Sequence, residues 1–183
     1  MTPDRLGLVI GAAFGLVWVE VNAGAAPSPV DLVLRILGAL VFLGVLAALW
    51  RSRDARTGGA DGRPGFGRNY WLVVAAEAVA FLGGNALLNG PLDLPDAVPA
   101  WIAFVVGVHF VVLAKVWREP SIGWIGGVVA VLGAAGVCMA VAEASRESIA
   151  LTAGVGTGAV LLGGCGWAAL RRPDGTTAPA NPA

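Results

Sequence analysis

The run Ile122–Ala142, IGWIGGVVAVLGAAGVCMAVA, contains no charged residue. At roughly 1.5 Å per residue, a helix of this length spans about 30 Å, the thickness of a bilayer's hydrocarbon core. Five further runs of similar length lie between charged or Pro/Gly-rich breaks: Leu6–Asn22, Val30–Trp50, Tyr70–Leu88, Pro99–Trp117 and Ile149–Leu170. Lipid offers no partner to a backbone amide, so each run must satisfy its amides internally, as a helix does, and none has the alternation of a barrel strand. The sequence therefore predicts an all-α polytopic integral membrane protein, with six transmembrane helices in three hairpins over residues 1–172.

Composition agrees. Of 183 residues, 57% are apolar and 13% charged, with a mean hydropathy of +0.77. A water-soluble domain carries roughly a quarter charged residues. Twelve basic and twelve acidic residues cancel at a pI near 6.6, which leaves no global positive field to capture nucleic acid.

Basic residues set the expected orientation. With both termini cytoplasmic, one side holds Arg5, Arg51, Arg53, Arg56, Arg63, Arg68, Lys115, Arg118, Arg171 and Arg172, leaving Arg35 and Arg146 towards the other. That asymmetry follows the positive-inside rule. Trp50, Trp71, Trp117, Trp124 and Trp167 fall near the same boundary, and Trp18 and Trp101 near the opposite one, as two aromatic belts. Leu6–Val19 followed by Ala23-Gly24-Ala25 also has features of a secretory signal, but Asp4 offsets the charge of Arg5 that such a segment needs. The predominance of Arg over Lys and the wealth of Ala, Gly and Val suggest a GC-rich genome, hence a bacterial plasma membrane.

The long connection, residues 51–69, mixes five Arg with Gly58, Gly59, Gly62, Gly65 and Gly67, a composition suited to a mobile cytoplasmic loop drawn to anionic headgroups. It lacks the Gly-Lys-Ser/Thr end of a phosphate loop. The tail, residues 173–183, has no apolar face and is expected to be disordered.

The hairpins share features. Leu49-Trp50-Arg51, Val116-Trp117-Arg118 and Trp167 through Arg171 close the same side, and Asn22 with Pro27 and Asn85 with Pro91 close the first helices of two hairpins. Ordinary interface chemistry and true repetition both account for this. The last hairpin, from Gly123-Trp124-Ile125-Gly126-Gly127 to Gly163-Gly164, resembles short-repeat membrane proteins of the HdeD type, built from three two-helix hairpins. That resemblance covers about a quarter of the chain and implies a three-hairpin bundle without an established catalytic site, although acids in the first and third helices depart from it.

Gly11 with Gly15, Gly123 with Gly127, and Gly154 with Gly158 form three GxxxG pairs. In lipid such pairs let helices approach closely, either within the chain or against a second copy of it.

An ionisable side chain inside a bilayer needs a partner, a cavity or a function. Glu77 lies seven residues from Tyr70, and His109, the one His in the chain, eight residues from Trp117. Helical rise puts them roughly 10 and 12 Å from the same boundary. An antiparallel hairpin thus makes a Glu77–His109 contact available, either as a proton-handling or ligand-polarising pair or as a register-setting interhelical bond. Near the opposite face, Arg35 has Glu20 across the hairpin and Asp31 on its own helix as partners, and Glu20, Arg35 and Asn85 are expected to line a polar vestibule for a small solute or anionic headgroup. Cys138 and Cys165 differ too much in depth for a disulfide. One His and no nearby ligand set give no metal site, and no cofactor motif is present.

Three functions fit. The first is a small transporter or channel passing Glu20, Arg35 and Asn85 and then Glu77–His109. The second is an intramembrane enzyme acting on a lipid or isoprenoid, with Glu77 or Glu20 as general acid tuned by His109. The third is a structural or accessory membrane protein. Membrane lipids and a small-molecule or lipid ligand are the expected partners.

Overall fold

The computed structural model describes residues 3–51 and 68–171. Most of the long connection and the tail lie outside them. Helix α1 covers Pro3–Asn22 and runs into a short 3-10 turn, Ala23–Ala25. Helix α2 follows as Val30–Arg51, then α3 as Arg68–Asn89. A second 3-10 turn, Pro95–Ala97, leads into α4, Val98–Trp117. Helix α5 is Pro120–Val141. The sixth span opens with α6, Arg146–Ile149, passes through a π-helical stretch, Ala150–Val155, and continues as α7, Gly156–Leu170. Among the described residues, six segments are long and apolar enough to cross a membrane.

The boundaries follow local chemistry. Pro99 and Pro120 stand in the first turns of their helices, where the missing N–H has no partner to lose. The sixth span begins at Arg146, earlier than the apolar run at Ile149, because the Ser145 hydroxyl accepts a bond from the Ser148 N–H at 3.2 Å and caps the end. Arg118 closes α4 with a φ of 55°, and its N–H returns to the Ala114 carbonyl.

Neighbouring helices touch within each hairpin, yet the two broadest interfaces join different hairpins, α4 with α5 and α1 with α7. The bundle therefore reads α3, α4, α5, α7, α1, α2 from edge to edge. Two cores result. One combines Ala12, Val19, Val45, Leu49, Leu162 and Cys165 from α1, α2 and α7. The other combines Ala100, Ala140, Ile149 and Ala153 with Leu88 and Ala97. The sixth span contributes to both, and 44% of its most apolar window is buried. Helix α3 leans chiefly on α4, with Leu88 reaching the second core, and the corresponding share is 6%.

Close backbone approach explains the tightest seam. A side chain on Gly107 would collide with the backbone nitrogen of Ala130, and one on Gly133 with that of Phe104. Gly126 sits with its Cβ direction 2.7 Å from the Gly107 carbonyl oxygen. Along α1 and α7, a Cβ on Gly158 would lie 2.7 Å from the Gly15 carbonyl oxygen and one on Gly11 2.9 Å from the Cys165 sulfur. The GxxxG pairs of α1 and the sixth span are thus internal packing surfaces. The expectation for α5 needs correction: Gly127 meets nothing within 4 Å, because the α4-facing phase of that helix runs through Gly126, Gly133 and Gly136.

Gly133→Val should therefore destabilise the bundle by about 1–3 kcal/mol or more, the range for overpacked cores, whereas Gly127→Ala should stay within about 0.5 kcal/mol. Thermal unfolding of both variants in one detergent checks this, and equal midpoints would remove the seam from the stability argument.

Candidate functional site

Two aromatic contacts fix the register of α3 against α4. At one end the Tyr70 and Trp117 rings stack with centroids 6.1 Å apart and planes 16° from parallel. Towards the other end the Trp101 indole lies against Gly84, where any side chain would collide with it, and donates to the Ala80 carbonyl at 3.0 Å. Between these clamps, counting seven residues up from Tyr70 and eight back from Trp117 brings Glu77 and His109 together. His109 Nδ1 stands 3.0 Å from Glu77 Oε2. The imidazole is 11% exposed and the carboxylate 28%.

That approach is short without being an aligned hydrogen bond. Nδ1 is buried and makes no hydrogen bond of acceptable geometry, so the two groups are close without an aligned bond between them. Chemically, the pair has zero net charge whether its proton rests on the carboxyl group or on the imidazolium. Its charge changes only when a proton enters or leaves, and in a low-dielectric setting that step is what the surroundings resist.

The second polar pair lies near the opposite end of the bundle. Arg35 Nη1 donates to Glu20 Oε2 at 3.1 Å and to the Glu20 carbonyl at 2.6 Å, with the guanidinium over Gly24. Arg35 thus chooses Glu20 over Asp31, whose Oδ1 is buried without a hydrogen-bond partner. A cation on the last carbonyls of α1 ties α1 to α2 and complements the helix dipole. Both side chains remain 37% exposed.

Asn85 does not join them. Its carbonyl and Oδ1 accept from Asn89 Nδ2 at 2.9 and 2.6 Å on an exposed face of α3. Because α3 makes no substantial interface with α1 or α2, the expected vestibule of Glu20, Arg35 and Asn85 is not assembled. Two polar features were harder to foresee. Asn22, 8% exposed, donates to the Trp18 carbonyl at 2.8 Å and packs on Gly154 within the π-helical stretch. Thr157 is fully buried, with no partner for its hydroxyl. Both were visible as polar residues in apolar runs, but nothing in their spacing disclosed the π-helical turn between them. Cys138 is exposed and Cys165 buried, each a free thiol. Among the described residues no group of three or more His, Cys, Asp or Glu converges.

The chain matches no family model, and neither a curated protein nor a solved structure is similar to it.

A double-mutant cycle of Glu77→Gln and His109→Gln should yield a coupling of about 0.5–1.7 kcal/mol in unfolding free energy, the span measured for polar pairs between membrane helices. Strict additivity would mean the two side chains do not interact in the membrane.

Proposed function

We propose that this integral membrane protein is a small transporter or channel in which the Glu77–His109 pair takes up and releases a proton as a solute or the proton itself crosses. One observation carries the reading: an embedded carboxyl group and the chain's one imidazole meet at 3.0 Å without an aligned bond. A pair whose only task was to fix register would gain most from a linear hydrogen bond. The charge asymmetry and Arg-rich, Ala/Gly/Val-rich composition support a bacterial plasma membrane with both termini cytoplasmic.

A second reading draws on the bare flanks of α3. Helix α3 rests chiefly on α4 and Glu77 keeps 28% of its side chain exposed, which suits lateral entry of a lipid or isoprenoid to a general acid. The third reading, an accessory protein, suits the HdeD-type resemblance and treats the pair as structural.

Purified protein in liposomes enclosing a pH-sensitive dye separates these. Under an imposed potassium-diffusion potential, wild type should acidify the lumen faster than protein-free vesicles, and Glu77→Gln should slow that flux at least about tenfold, the scale on which a lost acid–base group acts. Equal flux from the variant would overturn the proton-handling role. Loss of a lipid product from cells carrying Glu77→Gln, with flux unchanged, would favour the enzyme.

A further inference from the structure

On the face where α1 starts and α7 ends, the C-terminal end of α4 and the start of α5 border an open groove of about 490 Å³. It lies apart from the Glu77–His109 pair. Lys115, Arg118 and Trp124 stand around its mouth, and Val111, Ala114 and Gly123 form its walls. Lys115 and Arg118 are both exposed, and neither has a carboxylate partner among the described residues. The acid next in sequence, Glu119, is outside the groove lining and accepts from the Ser121 hydroxyl at 3.4 Å. Two cations and an indole that is 79% exposed therefore meet the membrane boundary together.

Next to the groove, α5 changes from close packing to open space. A Cβ built on Gly123 would lie 3.2 Å from that of Ala114, whereas Gly127, one turn on, has nothing within 4 Å of where its Cβ would be. Gly127 takes no part in the α4–α5 seam. Its missing side chain leaves open space on α5, an apolar trough one turn on from Gly123 and next to the exposed Val128.

We infer that this groove binds one anionic glycerophospholipid of the adjoining leaflet, with Lys115 and Arg118 on the phosphodiester, Trp124 at the glycerol level and an acyl chain laid along the Gly123–Gly127 side of α5. Charge complementarity selects the headgroup, since basic side chains at a membrane surface attract anionic lipid and a groove without an acid has nothing to neutralise them. The trough selects a lipid over a soluble anion.

Native mass spectrometry of the full chain, titrated separately with phosphatidylglycerol and phosphatidylcholine of matched chains, tests this. Wild type should retain one phosphatidylglycerol in clear preference to phosphatidylcholine. Lys115→Gln should lower that preference about fivefold and Lys115→Gln with Arg118→Gln about twenty-five-fold, the effect of roughly five-fold per surface cation. Should the double variant fail to fold, Gly127→Leu fills the trough without altering charge and should weaken retention of both lipids. Unchanged preference in the folded variants overturns the site. So does displacement of the lipid by millimolar inorganic phosphate, which would make it a soluble-anion site. A dimer that the same variants dissociate, with lipid retention unaltered, would assign the groove to a second copy of the chain and equally overturn the inference.

Discussion

Backbone meets backbone where α4 crosses α5. In water, two apolar helices associate because their surfaces escape solvent, but a lipid tail is as apolar as a valine, and that drive vanishes inside a bilayer. What remains is dispersion between atoms close enough to touch, together with the few polar bonds that span helices. Gly107, Gly126 and Gly133 supply the closeness, and the α1–α7 contact repeats the device at Gly15 and Gly158. These seams are why the broadest interfaces join different hairpins and not the two arms of one hairpin. The helices of these two seams are the more deeply buried ones, and α3, whose close glycine contact is that of Gly84 with the Trp101 ring, lies at the edge.

The sixth span has to satisfy two neighbourhoods at once. Its first half packs Ala153 against Ala100 and Gly136, and its second half packs Gly158 and Leu162 against α1. The π-helical stretch Ala150–Val155 lies where one allegiance gives way to the other. A widened turn adds a residue to the helix and rotates all that follows, so the two halves can present faces that a uniform helix would misalign. Asn22 packs onto Gly154 at that junction, placing one of the few buried polar side chains beside the irregular turn.

Much of the architecture was legible in the residues. Span number and bounds follow from a single physical demand, that a helix long enough to cross lipid carry almost no charge, and Ile122–Ala142 meets it as α5 to within two residues. Depth was legible too: counting from Tyr70 and Trp117 brings Glu77 level with His109 because those two aromatic residues do share a level. Phase was not. The GxxxG spacing of Gly123 and Gly127 says nothing about which side of α5 looks at α4, and the working face runs through Gly126 and Gly133, seven residues apart. Helix adjacency beyond the hairpin was equally hidden, so Asn85 was grouped by depth with Glu20 and Arg35, from which α4, α5 and α7 separate it. The loop and tail readings concern residues outside the described structure.

The peripheral position of α3 has a consequence in time as well as in space. A chain threaded into the membrane as it is synthesised delivers α3 to lipid before α4 has been made, so Glu77 arrives without its imidazole. A carboxylate entering hydrocarbon alone sheds its charge by holding a proton. Docking of α4 is then the step that gives the one acid of α3 its partner, so the third helix depends on the helix made after it.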